Sequence, residues 1–321
     1  MFFGLETMGY EQKILDKMRS LGAVVDYHTE RSVSGKIGKS ILKLAPDALN
    51  AWTEAYYSKL IRAHRSDDYQ IVFMMKCDMP TRRTLEQLRN AFPKAQFRLH
   101  LWDSLSNVPG IEKKLDCFDR VTSFDRLDCE RRSEFGFRPL FYADEIRTAA
   151  PAETAYDLSF CGTIHSDRYP ILESVRSQCE SLGLRFFGYY YLQSKPAFAY
   201  YKLTDKRYRN IKVSEFHFSA MPLSQVSRVL STSRAVIDIQ HPKQAGLTMR
   251  TIEALGAGRK LITTNADIAR YDFYNPENVQ IIRRENPVIS TEFLRSKYAE
   301  LPEEVYRRYS LKHWVMDVLT M

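Results

Sequence analysis

The sequence predicts an α/β protein of two consecutive domains, each built on a parallel sheet, facing each other across a cleft. Three observations lead there. Short apolar runs alternate with amphipathic stretches along most of the chain, the pattern of strand–helix–strand units. That pattern stops in a polar, alanine-rich segment broken by Pro151, residues 143–154, and then restarts. The 321 residues are many for one core and sufficient for two. The domains are placed at residues 1–148 and 149–300, with 301–321 a terminal helix able to cross back to the first domain.

Residues 1–5 read as a strand, followed by a loop with Gly4 and Gly9 and a helix over 11–21. A strand is expected at 24–27, a helix over 39–64 interrupted near Pro46, and a buried strand at 70–76. Thr81 can cap a helix over 82–92, its hydroxyl accepting from the free amides of the first turn. Strands at 97–102 and 120–124 flank a helix near 111–117. In the second half, a strand at 157–161 leads through a turn at 162–166 into a helix over 168–182. Strands at 184–189, 235–239 and 260–264 then alternate with helices at 223–231 and 248–255, before a helical, interrupted tail over 291–319. No repeat of 20–50 residues argues for a solenoid.

Hydrophobic residues make up 44% and charged residues 27%, which excludes disorder as the default. A net charge of +8 suits acidic partners: nucleotide phosphates, lipid-linked pyrophosphates, an anionic membrane face or nucleic acid. Five cysteines without zinc or redox spacing read as reduced thiols of a cytosolic protein. The first residues lack the basic start and apolar core of a signal peptide, and no run of about 18 apolar residues occurs. The expected location is cytoplasmic, with peripheral contact on the cytoplasmic face of the inner membrane left open.

Residues 238–265 carry the most chemical information. A strand ends at Ile239, a polar loop follows, a helix starts near Thr248, and Gly256 and Gly258 close it. A helix start offers unpaired amides and partial positive charge, a ready site for a pyrophosphate. Gly246 lets backbone approach closely, Thr248 can cap or bond phosphate, and Arg250 can neutralise it. Glu253 stands where its oxygens could accept both ribose hydroxyls; a solvated helix carboxylate would look the same.

This stretch resembles the donor-nucleotide motif of GT-B glycosyltransferases, in particular the CgeB-like, polysaccharide-biosynthesis branch. The matching residues are Gly246, Leu247, Thr248, Arg250, Glu253, Ala254, Leu255, Gly256, Gly258 and the strand 261–265. A second match, residues 156–169 (YDLSFCGTIHSDRY), resembles the opening strand and loop of the donor domain in that branch. Together with the tail helix, the resemblance covers residues 156–319. It implies two Rossmann-like domains, the first holding an acceptor and the second a nucleotide-sugar donor, with no other cofactor. The implied activity is transfer of the sugar to a growing, lipid-linked bacterial surface glycan such as lipopolysaccharide or capsule. Many retaining members carry a second glutamate eight positions before the ribose one; here that position is Ala245, so the anomeric outcome stays open.

An inverting transfer needs a base for the acceptor hydroxyl and positive charge for the departing diphosphate. Asp103, just after a strand, is the first candidate base and Asp125 the second; both are also positioned to be turn or cap residues. Gly162, His165, Ser166 and Arg168, after the second domain's first strand, are the expected phosphate contacts, although a lone histidine is as often structural. Gly4, Gly9 and Tyr10 form a first loop able to approach the acceptor or a phosphate, without the dinucleotide-binding spacing. No Asp-x-Asp pair is present, so a metal-independent reaction and no metal ligand are expected.

Two basic stretches remain. Residues 189–209 interleave tyrosines with Lys195, Lys202, Lys206, Arg207 and Arg209. They could stack sugars, meet a membrane interface or stack bases, or form a half-buried insertion with a basic rim. Residues 36–43 (KIGKSILK) would open a basic amphipathic helix for anionic lipid, or an ordinary core-facing one. The rival functions are a GT-B-like nucleotide-sugar epimerase and a basic nucleic-acid-binding protein. No helix-turn-helix, zinc finger or RNP-like motif supports the latter, and no nucleic-acid partner is expected.

Overall fold

The computed structural model describes residues 1–5, 8–33, 46–147 and 153–320. The chain divides into two compact units, Met1–Pro139 with Lys312–Met321, and Leu140–Leu311.

The first unit is a six-stranded parallel sheet. Its strands are β1 (Phe2–Gly4), β2 (Tyr27–Thr29), β3 (Ile71–Met75), β4 (Gln96–Leu101), β5 (Arg120–Ser123) and β6 (Gly136–Phe137), in the order β2-β1-β3-β4-β5-β6. The apolar run of β3 is buried at four of five positions, as a strand covered on both faces requires. Helices α1 (Tyr10–Ser20), α2 (Asn50–Ala63), α3 (Arg82–Ala91) and α4 (Arg126–Arg131) accompany it. Tyr57 of α2 and Leu85 and Leu88 of α3 share one core with Val72, Met74, Phe97 and Leu99 of the sheet. Thr81 caps α3 as its sequence predicts, its hydroxyl accepting from the Thr84 amide at 3.1 Å.

Two expectations shift. The strand expected at 24–27 forms at Tyr27–Thr29, and Val24 is left 97% exposed. Residues 111–117 form a 3-10 helix rather than an α-helix, entered through Gly110 in the left-handed region. The basic stretch 36–43 lies outside the described residues.

The second unit is a five-stranded parallel sheet of β7 (Tyr156–Thr163), β8 (Phe186–Tyr191), β9 (Ser233–Asp238), β10 (Lys260–Thr263) and β11 (Val279–Ile281), in the order β11-β10-β9-β7-β8. Its helices are α5 (Asp144–Arg147), α6 (Arg168–Ser181), α7 (Lys195–Thr204), α8 (Leu223–Ser231), α9 (Met249–Gly256), α10 (Thr291–Arg295) and α11 (Glu303–Arg308). The chain ends in α12 (Leu311–Thr320), whose buried Trp314 ring lies 5.0 Å from His100 and 6.1 Å from Trp102 in the first unit's core.

The tyrosine-rich stretch is partly buried and runs from the end of β8 through α7 into a short 3-10 turn, Lys206–Tyr208. Ser194 accepts from the Ala197 amide and starts α7, with Pro196 in its first turn where a missing N–H costs nothing. Tyr190 and Tyr208 point into the core, and Tyr201 stacks on Tyr208 at 5.1 Å. Tyr200 and Leu203 stay exposed.

Tyr142 closes the second unit on itself. Its amide donates to Tyr309 O (2.9 Å), its carbonyl accepts from Leu311 N (3.1 Å), and its hydroxyl donates to Tyr306 O (2.8 Å). A Cβ on Gly256 would come within 2.3 Å of the Tyr142 ring, so only glycine fits where α9 ends.

Candidate functional site

In the second unit β7 lies between β8 and β9, so the sheet order reverses there and the loops leaving β7 and β9 diverge. Such a reversal leaves a crevice at the carboxyl ends of the strands. Three arginines converge on it. Arg168, at the start of α6, donates from Nε to Ile239 O and from Nη1 to Thr163 O, both at 2.6 Å, and its Nη2 is 4.0 Å from Asp238. Arg284, just beyond β11, donates from Nη1 to both Asp167 oxygens at 2.8 and 2.9 Å and from Nη2 to Gln240 O. Arg250 of α9 donates from Nε to Cys161 O at 3.1 Å and pairs with Glu253 at 2.5 Å. Arg168 thus bridges the ends of β7 and β9, Arg250 ties β7 to α9, and Arg284 ties the start of α6 to the loop after β9, while the three face Asp238, Glu253 and Asp167. Positive charge gathered on backbone carbonyls beside a helix start is an arrangement able to receive a diphosphate.

His165 adds a neutral hydrogen-bonding group. Its Nδ1 lies 3.0 Å from Ser166 Oγ and its ring 5.5 Å from that of His241. Burial, then the neighbouring Arg168 and His241, bring its pKa down to about 3, so the ring is uncharged near neutrality. Ser166 takes a left-handed backbone (φ 48), a strained conformation of the kind found at binding loops.

Several expected contacts have other duties. Gly162 is not in the turn but within β7, opposite Tyr190, where a Cβ would press on the Phe160 ring at 3.0 Å. Leu247 is buried and packs, and Gly246 is buried beside it. Thr248 caps α9, accepting from Thr251 N, and its hydroxyl donates to Asp238 at 2.7 Å, so it is already committed. Thr251 donates to the same carboxylate at 2.9 Å. Glu253 is not a solvated carboxylate: it is 0% exposed and held by Arg250, so ribose would reach it only after that pair opens.

The first unit has its own reversal of strand order, between β1 and β3. Two consecutive non-glycine residues there, Lys76 (φ 73) and Cys77 (φ 58), occupy the left-handed region, which costs free energy and must be held. Glu30, completely buried, holds them: its two oxygens accept from Cys77 N at 2.9 Å and Asp78 N at 2.8 Å. Burial, and the charge of Asp78, push the Glu30 pKa well above the ordinary carboxylate range. The turn presents Lys76 to Asp103 at 2.6 Å and Asp78 to Arg31 at 2.5 Å. Asp103 remains the accessible candidate base, with its side chain 35% exposed.

Asp125 does not. It is 2% exposed, caps α4 by accepting from Leu127 N, and also accepts from the Ser104 hydroxyl. Its turn-and-cap role is the one the structure shows. Gly4 lies within β1, where a Cβ would meet the Tyr27 ring at 2.8 Å; Gly9 (φ 83) is the left-handed residue before α1; Tyr10 is buried with its ring 6.3 Å from Trp102. Gly4 and Tyr10 therefore serve packing, while a Cβ at Gly9 would meet nothing within 4 Å.

Sequence reasoning missed Asp167, Asp238 and Arg284 in the second unit, and Glu30, Arg31, Lys76 and Asp78 in the first. A signal existed for Asp238, which ends an apolar strand ahead of the glycine-bracketed helix. Arg284 follows a three-residue strand too short to announce itself.

No family model matches the chain, and no curated protein sequence matches it. Solved structures do. Anabaena Alr3699/HepE in complex with UDP and glucose has a TM-score of 0.62 at 10% identity, covering 99% of this chain and 97% of that one. Lipopolysaccharide outer core galactosyltransferase WaaB in its apo form has a TM-score of 0.54 at 12% identity, covering 99% and 98%. The UDP-GlcNAc 2-epimerase of Methanocaldococcus jannaschii has a TM-score of 0.52 at 10% identity, covering 99% and 98%. The likeness is one of fold, and it spans both units: the chain has the two-domain GT-B architecture.

Proposed function

We propose that the protein is a glycosyltransferase that takes a sugar from a nucleoside-diphosphate donor, UDP by preference, and passes it to a hydroxyl of a growing, lipid-linked surface glycan. The observation that carries this is the convergence of Arg168, Arg250 and Arg284 on the strand-order reversal of the second unit. The fold-likeness to proteins solved with UDP supports it. In this reading Arg250 and Arg284 turn from their carboxylates toward the diphosphate, and their charge stabilises it as the glycosidic bond to phosphate breaks. Release of Arg250 frees Glu253 for the ribose. Asp103 accepts the proton of the attacking acceptor hydroxyl, with Lys76 beside it to hold its orientation. An anionic, lipid-linked acceptor is compatible with the net charge of +8.

The test is thermal unfolding with UDP, GDP and CMP, followed by incubation with nucleotide sugars. At 100 times its Kd, UDP should stabilise the fold by about 2.7 kcal/mol. Release of free sugar and UDP without an acceptor supports transferase chemistry. Conversion of UDP-GlcNAc to its C2 epimer or to elimination products supports the epimerase reading, which the fold-likeness to the archaeal epimerase keeps in view. No stabilisation by any nucleotide overturns both.

A further inference from the structure

A cluster of titratable side chains in the first unit lies away from the groups described above. Asp26 precedes β2, His28 is its middle residue, His64 closes α2, and Asp67 and Tyr69 sit in the loop leading to β3. The cluster therefore gathers toward the amino-terminal ends of parallel strands, whereas Arg31, Asp78 and Asp103 follow the carboxyl ends.

Its hydrogen bonds fix one tautomer. Asp67 Oδ2 lies 2.8 Å from His64 Nδ1 and, as a carboxylate, can only accept, so Nδ1 carries the proton. The Tyr69 hydroxyl donates to Asp26 Oδ2 at 2.6 Å and sits 2.8 Å from the same Nδ1. The lone pair of His64 is thereby left on Nε2, and it faces His28 Nε2 at 3.1 Å. Both rings are half-buried. A tetrahedral ion bound at 2.0–2.1 Å by two imidazoles holds their nitrogens about 3.3 Å apart, within a few tenths of an ångström of this spacing. A carboxylate on the far nitrogen is the usual way a metal-binding histidine is oriented and made more basic. Asp26 and Asp67 both stand on the Nδ1 side of His64, Asp26 through the Tyr69 hydroxyl, so the carboxylates back the ring whose Nε2 faces His28.

We propose that His28 and His64 bind one divalent transition-metal ion between their Nε2 atoms, with Asp67 orienting His64 and water completing the ion's coordination. His28, neutral with its one proton on Nε2 toward His64, changes tautomer on binding: Nδ1 takes up a proton from solvent as Nε2 gives its own up to solvent, and the Nε2 lone pair is free for the ion. A pair of imidazole nitrogens suits Zn2+, Ni2+ or Cu2+ rather than Mg2+ or Ca2+. The ion would clamp the edge strand β2 to the end of α2, a structural role independent of sugar transfer.

The experiment uses tag-free, chelator-treated full-length protein, titrated with Zn2+ by calorimetry and with Co2+ by visible absorption. One equivalent should bind, with a Co2+ absorption band typical of tetrahedral nitrogen ligation. His28→Gln and His64→Ala should each weaken uptake by on the order of 100-fold, and Asp67→Asn by roughly 10–100-fold with stoichiometry kept. His241→Ala should leave it unchanged. No uptake by the wild type overturns the proposal. So does uptake that survives His28→Gln, or that is lost in His241→Ala instead. If His64→Ala does not fold, His28→Gln, on an edge strand, together with the wild-type Co2+ spectrum decides the matter.

Discussion

Replacing Glu253 by alanine separates a buried structural carboxylate from an open ribose ligand. The side chain is 0% exposed and its partner Arg250 is 16% exposed, with Nε still bonded to Cys161 O. Removing one member of a buried ion pair costs roughly 3–5 kcal/mol, because the other charge is left without its partner. Arg250 keeps some solvent and one carbonyl, which places the expected loss near the lower end, about 3 kcal/mol. For a unit of roughly 170 residues, each kcal/mol moves the melting temperature by about 2–4 °C, so Glu253→Ala should melt some 6–12 °C below wild type. Circular dichroism melts with and without saturating UDP measure this. Arg250→Ala and the double variant complete the cycle, and the double variant should lose less than the two singles added together. A Glu253→Ala protein that melts within about 2 °C of wild type yet no longer binds UDP refutes the inference from burial and restores the carboxylate as an exposed ligand.

Asp103→Asn should lower transfer by on the order of 100-fold with donor affinity kept, and steady-state rates at saturating donor check it; unchanged turnover removes Asp103 as base. Asp125→Ala should cost about 1–2 kcal/mol in urea unfolding through loss of the α4 cap, with unchanged kcat; a large fall in kcat at full stability would reinstate it as a catalytic group. Burial, then Arg138, holds the His100 pKa at about 3, far below an unfolded histidine. Its stabilising effect is therefore complete above about pH 6.5 and declines as pH falls from there toward 3. Melts read by the fluorescence of Trp102 and Trp314 should show that decline, and His100→Gln should flatten it. A slope indifferent to the substitution contradicts the assignment.

Much of the framework was legible because it depends on local pattern. The apolar runs that became β3, β4 and β9 and the threonine caps of α3 and α9 need only their neighbours to be read. What escaped has a tertiary cause. β11 is three residues long, and pairing with β10 rather than its own pattern makes it a strand. The inward turn of Tyr190 and Tyr208 is decided by the Tyr169 and Phe216 rings beside them, and the sequence shows only tyrosines among lysines. The candidate site was half legible for the same reason. Helix starts and loops after strands could be located, but the partners of Arg250 and Thr248 lie on the same helix and on β9, and those contacts turn expected ligands into structural groups. The turn at Lys76 gave no warning, since no glycine marks it and its support, Glu30, is 46 positions away in sequence.

The hydrogen bonds around Tyr142 have a practical consequence. They join the residues where the chain enters the second unit to those where it leaves, so that this unit starts and finishes at a single seam of main chain. A module built that way is portable. Two cuts made side by side release it whole, its free ends are already fastened to each other, and the same seam offers a point at which it can be spliced into a surface loop of an unrelated host.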